Sequence, residues 1–214
     1  MSALCRIIYG CAVFRAYSHS VTLLSGCYIV NSELQRIAAL KACAILDTAP
    51  HPAFDCLTRA AALAFDVPIA LVSLVDTDRQ WFKSALGVDL RETTRNISFC
   101  THTIEGFEPM VVPDTARDRR FAANPLVTGA PHVRFYAGAP LIDCDGYALG
   151  TLCILDTVPR RLDDAQLRLL GHLADAVMHA ITAHRQSLEL KDIQRRLQHQ
   201  DMSASEPQMR KLSA

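Results

Sequence analysis

Cys100 and His102, two positions apart, are the sharpest candidates for chemistry in this chain. A thiol near an imidazole can act as a thiolate nucleophile, a redox sensor or half of a metal site. Two ligands do not hold a structural metal. The others would have to come from Cys153, Cys144 or His132, a convergence that no spacing here predicts. The alternative is that Cys100 packs as a small apolar residue and His102 bonds a backbone group. Trp81, Phe99, Phe135 and Tyr136 form a candidate aromatic pocket wall, in which the Trp N–H and Tyr O–H would orient a ligand. Core packing is the competing account of the same set. Strand alternation sends Phe135 and Tyr136 to opposite faces, so only one of them can line a cavity. Phe121 is the lid candidate, because an aromatic in a loop needs something to cover. Asp114 and Arg134 either orient a charged ligand bidentately or pair with each other and hold the loop over 114–128.

These residues need a frame. Ile69-Ala70-Leu71-Val72-Ser73-Leu74-Val75 is apolar at nearly every position and reads as a strand buried on both faces. Asp76-Thr77-Asp78 supplies turn chemistry, and residues 80–85 form the return strand with the lone Trp81. One helix is expected from an Asn31 or Ser32 cap through Leu40, with Leu34, Ile37 and Leu40 at helical spacing. A second is expected over Ala53–Phe65, after the break at Pro50-His51-Pro52. Residues 86–96 read as a charged loop, 97–105 as a short helix or irregular wall, and 110–112 as a brief strand. A strand over 134–141 holds Gly138, where something must approach the backbone closely. Asp143-Cys144-Asp145-Gly146 marks a hairpin turn into another apolar strand over 148–155. A long helix follows over 163–200. Leu167, Leu170, Ala174, Val177, Ile181, His184 and Leu188 step along it by threes and fours, which is the pattern of a dimerisation seam.

Composition narrows the function classes. The chain has 214 residues, half of them hydrophobic, and a formal net charge of zero, so no basic face for nucleic acid is implied. No apolar run reaches the roughly 18 residues of a membrane span. The eight Cys show no Cys-x-x-Cys pair or zinc-finger spacing, so free thiols in a cytoplasmic, reducing setting are expected. No phosphate loop, His-Glu-x-x-His motif or nucleophile elbow is present. Residues 1–29 lack periodicity and carry almost no acid. Their apolar core is short, Arg15 interrupts it, and no small-x-small cleavage site follows, which argues against a secretory signal. They read instead as a poorly structured extension, with translation starting near Val30.

Several words, in order, carry a resemblance. They are Ile45-Leu46-Asp47-Thr48-Ala49-Pro50, Pro68–Asp76, Arg79-Gln80-Trp81-Phe82-Lys83-Ser84 and Ser98-Phe99-Cys100-Thr101-His102. Val111-Val112-Pro113-Asp114, Asp118 with Arg120-Phe121, Asn124-Pro125-Leu126-Val127, Arg134–Leu141 and Leu149–Asp156 follow. The chain resembles a GAF domain over about Leu34 to Ile181. The likeness is to the subgroup found ahead of bacterial diguanylate cyclases and sensor histidine kinases. The resemblance implies an α+β fold, with a central antiparallel sheet of five or six strands, flanking helices and a long C-terminal helix. The domain would span 30–162, the exit helix 163–200 and a disordered tail 201–214.

The resemblance also implies a non-catalytic sensory module that binds a small molecule or senses redox state. Candidate contacts are Trp81, Phe99, Cys100, His102, Asp114, Phe121, Arg134, Tyr136 and Cys153; no cofactor is specified. Bilin-binding members often carry His directly after Cys, whereas Thr101 intervenes here. No cyclase, kinase, phosphodiesterase or DNA-binding motif follows the exit helix. The expected readout is therefore a homodimer acting on a histidine kinase or diguanylate cyclase in trans, unless the chain is the front of a truncated sensor. Thiol-dependent reduction at Cys100 and a ligand-free dimerisation scaffold are the alternatives. For the start of the chain, an intact N-terminal mass beginning at Val30 is expected, and one beginning at Met1 would overturn it.

Overall fold

The seven residues Ile69–Val75 form the first strand, β1, and every one is buried. Successive side chains of a strand point to opposite faces, so such a strand needs cover on both sides. Asp76 turns the chain: its carboxylate accepts from the Thr77 N–H at 2.8 Å, and its own N–H donates to the Arg79 carbonyl at 2.9 Å. The return is β2 (Arg79–Leu86), followed by β3 (Glu92–Thr94), β4 (Met110–Val112), β5 (Phe135–Ile142) and β6 (Ala148–Asp156). These make one six-stranded sheet in the order β3-β2-β1-β6-β5-β4, with each neighbouring pair antiparallel. The computed structural model describes residues 33–210, with side chains as far as His199. Residues 1–29, the Val30 start and the Asn31 or Ser32 cap lie outside the described residues.

Strand β3 sits inside the segment expected to be loop. Its three residues are polar and pair only with Arg79, Gln80 and Trp81 at the sheet edge, so no apolar alternation announces it.

One face of the sheet is covered by α1 (Glu33–Ala42), α2 (Pro52–Phe65) and the first half of α5 (Asp164–Arg210). Ala70, Val72, Leu74, Phe135, Ala137, Leu152 and Ile154 face these helices. Helix α1 does not present the expected Leu34 stripe: Leu34 is 83% exposed, whereas Arg36 and Leu40 are buried. Arg36 donates to the Val75 carbonyl at 2.7 Å and the Ala148 carbonyl at 3.4 Å, and pairs with Glu33 at 2.8 Å. A guanidinium thus donates to carbonyls at the ends of two strands. Arg36, helped by Arg95, holds the Glu33 carboxyl down to about 2.

The connection from α1 to α2 is fastened to β2 by three polar contacts. Asp47 takes two hydrogen bonds from Arg79, at 2.9 and 2.6 Å. The Lys83 ammonium donates to the Thr48 hydroxyl at 2.6 Å and the Ala49 carbonyl at 2.7 Å, and lies over the Phe54 ring. The Ser84 hydroxyl donates to Asp55 at 2.7 Å. Two of the sequence words, around Asp47–Pro50 and Arg79–Ser84, are therefore two halves of one lock.

Helix α5 corrects the expected dimerisation seam. Leu170, Ala174, Val177 and Ile181 are buried against this chain's own sheet, Leu167 is partly buried, and Leu188 is exposed. Burying a Leu or Val side chain contributes about 1.5–3 kcal/mol, and the same spacing serves a sheet as well as a partner helix. Where the helix leaves the body, the His184 ring lies on the Ala44 carbonyl at 3.3 Å and Arg185 acts on Cys43. Beyond it, Leu190, Ile193 and Leu197 are each more than half exposed. The helix also runs on to Arg210, past the tail expected from 201. Each added residue of an existing helix gains a hydrogen bond, and polarity alone does not stop it. No described helix is long and apolar enough to cross a membrane.

Replacing Lys83 by Met removes the donor from Thr48 and Ala49 in a half-buried site. The expected loss is about 1–3 kcal/mol of stability. It would be read as a lower midpoint in thermal unfolding, and an unchanged midpoint would show that the lock contributes nothing.

Candidate functional site

The face of the sheet away from α1, α2 and α5 is covered by short elements only. They are α3 (Phe99–Thr103), α4 (Pro125–Thr128) and the intervening loops. Ser98 sets α3: its hydroxyl accepts from the Thr101 N–H at 3.1 Å and donates to the Gln80 side-chain carbonyl on β2. Phe99, Cys100 and Thr103 then face the sheet, while Thr101 and His102 are only partly buried.

Two residues on a helix are about 200° apart, which separates Cys100 from His102. The His102 ring rests edge-on against Phe121 at 5.0 Å and borders an open polar recess with Arg95 and Asp78. The Cys100–His102 pair is therefore not a thiolate–imidazole couple.

The partner of Cys100 is Cys153 on β6, with the two sulfurs 3.7 Å apart. Both are buried. The Thr151 hydroxyl donates to the Cys100 sulfur at 3.0 Å, and the Tyr136 hydroxyl lies 3.5 Å from it. Tyr136 also shares a 2.7 Å hydrogen bond with Thr103. Ser73 Oγ, fully buried with no hydrogen-bond partner of its own, adds to the pull on the same sulfur.

Burial works against a Cys100 thiolate. The hydrogen bonds from Cys153, Thr151 and Tyr136, with the Ser73 hydroxyl close by, outweigh it and bring the thiol down to about 6. Cys153 is pushed up by its bond to Cys100 and by burial, and Tyr136 is pushed up by burial and by the Cys100 charge. The first proton lost from this cluster is the one on Cys100.

Beside the sulfurs lies a small apolar cavity of about 50 Å³, lined among others by Leu71, Phe82, Leu90, Phe99, Cys100, Tyr136 and Cys153. That space admits a molecule or two of the size of water; drug-sized ligands occupy about 300–1,000 Å³. Three rings pack together beside it, Phe99 stacked on Tyr136 and tilted against Phe121. Phe99 lies 5.2 Å from Tyr136 and 4.7 Å from Phe121. Phe121, expected as a lid, is fully buried, and the Arg120 guanidinium covers it at 4.9 Å. It plugs the site.

The other candidates lie elsewhere. Trp81 and Phe135 turn to the helix-covered face, because alternation along β2 and β5 gives the cavity side to Phe82 and Tyr136. Asp114 and Arg134 pair with each other through two 3.0 Å hydrogen bonds, outside the cavity. Asp114 also accepts from the Ala116 N–H, so the pair holds the start of the loop, one of the two readings the sequence left open. Cys144 is exposed, and neither it nor His132 lines the cavity that both buried sulfurs reach. Among the described residues no group of three or more His, Cys, Asp and Glu side chains could hold a metal ion.

Ser73, Thr151 and Thr103 were not anticipated as site residues. The one legible signal was the i, i+2 spacing of Thr151 and Cys153 on a strand, which puts both on one face. Gly138 was anticipated as a point of close approach, and the approaching group is the Tyr136 hydroxyl. A Cβ on Gly138 would lie 2.2 Å from it.

Comparison with known proteins gives a consistent likeness. The family model for the GAF domain matches residues 23–181. A cyclic di-GMP phosphodiesterase of Pseudomonas aeruginosa is 40% identical over 152 residues, which is 71% of this chain and 26% of that protein. The chain thus spans about a quarter of that relative's length. Among solved structures, the GAF domain of an Acinetobacter phosphoenolpyruvate-protein phosphotransferase has a TM-score of 0.54 at 17% identity, covering 72% of this chain and 94% of that one. Free methionine-R-sulfoxide reductase of Neisseria meningitidis has a TM-score of 0.53 at 16% identity, covering 79% and 99%. At such identities the likeness is one of fold.

Two substitutions test the site. Tyr136→Phe removes a hydroxyl that stabilises the thiolate, so the Cys100 pKa should rise above about 6. The pH profile of alkylation, followed on the Cys100 peptide by mass spectrometry, reads that shift. Gly138→Ala should cost about 1–3 kcal/mol by overpacking against Tyr136, and an unaltered melting temperature would deny the close contact.

Proposed function

This chain belongs to the GAF family, and we propose that it is a cytoplasmic, non-catalytic sensory module whose cavity side receives a stimulus and whose α5 passes it on. The observation that carries this reading is the two-sidedness of β5 and β6. Tyr136 and Cys153 face the cavity, while their neighbours Phe135, Leu152 and Ile154 face the helix layer that contains α5. Side chains next to each other on one strand share its backbone, so a shift on one face has to be absorbed on the other.

The filled cavity limits the stimulus. A drug-sized ligand has to displace the Phe99–Phe121–Tyr136 stack, whereas a water-sized one fits as the site stands. In either case the ligand shifts the equilibrium only through its differential affinity for the two arrangements.

The projecting part of α5 supports homodimerisation through a different stripe from the one first expected. Leu169, Ala176, Ala183, Leu190 and Leu197 recur every seven residues, with Ile193 between the last two. None of them is buried; Leu169 and Ala176 flank the buried Leu170 and Val177, and Leu190, Ile193 and Leu197 lie on the projecting part. The output is a histidine kinase or diguanylate cyclase acting in trans on the paired helices.

A second reading, thiol-dependent reduction of a small molecule, is favoured by the lowered Cys100 thiol. Turnover of free methionine sulfoxide with a thiol reductant, abolished in Cys100→Ser, would establish it and reject the non-catalytic reading.

The protein is expected to be a dimer by native mass spectrometry at micromolar concentration. Leu190→Asp combined with Ile193→Asp should give monomers whose domain melts as the wild type does. Leu170→Asp should instead unfold the domain. A monomeric wild-type protein would reject the role given to α5.

A further inference from the structure

Among the described cysteines, Cys100 and Cys153 are both buried and their sulfurs meet at 3.7 Å. The two come from elements that nothing else ties covalently, the five-residue α3 and the central strand β6. Their 3.7 Å contact is longer than the S–S bond of about 2.05 Å. A small shift of a short helix covers that difference. The cavity touches both sulfurs, is apolar, and has room for a molecule about the size of water. Leu90, exposed on the β2–β3 connection, stands at its outer end. Behind the cavity wall, the Thr151 and Tyr136 hydroxyls reach the Cys100 sulfur, Thr103 bonds the Tyr136 hydroxyl, and the Ser73 hydroxyl is fully buried.

We infer that Cys100 and Cys153 form a dithiol switch that a small hydroperoxide, entering the cavity past Leu90, closes to a disulfide between α3 and β6. The inference deepens the sensory reading above and rests on it for the step from the cavity to α5. The Cys100 thiolate attacks one peroxide oxygen, the O–O bond breaks, and hydroxide leaves. Cys100 is now a sulfenic acid. The Cys153 sulfur then attacks the Cys100 sulfur, the S–O bond breaks, and the departing hydroxide takes the Cys153 proton as water. Two thiols lose two electrons and two protons in total, and hydrogen peroxide becomes two waters.

The Thr151 and Tyr136 hydroxyls donate first to the thiolate and then to the departing oxygen. The size of the cavity selects the oxidant: a bulky disulfide such as glutathione disulfide does not fit, and a hydroperoxide does. The lowered Cys100 thiol makes it the attacking sulfur and leaves Cys153 as the resolving one.

The test is peptide mapping of the full chain carrying Cys144→Ser, which leaves Cys153 the only thiol of its tryptic peptide, 135–160. The reduced protein is treated with hydrogen peroxide at about equimolar ratio, blocked and digested. The expected product joins peptide 96–117, which holds Cys100, to peptide 135–160, with the loss of two hydrogens. In Cys153→Ser, Cys100 should accumulate as a sulfenic acid that dimedone traps. In Cys100→Ser, labelling of Cys153 should stay below that of Cys100 in Cys153→Ser, because burial still pushes the Cys153 thiol up. Mapping of the Cys144→Ser protein stands whether or not the other two variants fold. Oxidation confined to exposed Cys56, with Cys100 and Cys153 still reduced, would overturn the inference.

Hydrogen exchange along α5, measured on the same oxidised sample, separates the two readings. A linked pair with unchanged α5 exchange keeps the switch and rejects transmission through the helix.

Discussion

Two central strands, β1 and β6, are buried along their whole length, and the rest of the molecule follows from that constraint. A strand dry on both faces has to lie between two layers, and this chain builds those layers from unequal materials. One is made of α1, α2 and α5, long enough to bury a continuous apolar stripe. The other is made of α3, α4 and loops, which cannot bury much by themselves and are instead packed with aromatic rings. The first layer provides the rigidity, and the second is where a cavity forms.

Polar side chains hold the margins where backbone pairing runs out. Arg36 takes strand-end carbonyls, Lys83 and Arg79 fasten the α1–α2 connection, and Asp114 with Arg134 fixes the start of the loop that carries Phe121. Arg36 and Lys83 do so in buried surroundings, whereas the Arg79–Asp47 and Arg134–Asp114 pairs lie at the surface. These contacts explain why the motifs carried by the sequence are rich in Asp, Arg and Lys.

The site itself is small and dry except for one polar cluster. Cys100, Cys153, Thr151, Tyr136, Thr103 and Ser73 meet in a place with no cation, so the negative charge of a thiolate would rest on hydrogen-bond donors alone. The cluster sits on strands whose other face packs on the helix layer that contains α5. The aromatic stack sets how far that cluster is open to small molecules.

The layered sheet, the hairpin of β1 and β2, the exit helix and the opposite facing of Phe135 and Tyr136 were legible in the sequence. They rest on local periodicity: apolar runs, turn residues and strand alternation, none of which needs a distant partner. The helical spacing of Leu170, Ala174, Val177 and Ile181 was legible too, but not what it faced, since a stripe of that period fits a sheet or a second helix equally. Strand β3 was hidden because three polar residues at an edge have no pattern of their own.

The pairing of Cys100 with Cys153 rather than with His102 was decided only in three dimensions. Fifty-three residues separate the two sulfurs along the chain, and only the packing of α3 on β6 brings them together. The sequence by itself determined which faces are apolar. The tertiary structure decided which apolar faces meet, and therefore which side chains share the space between them.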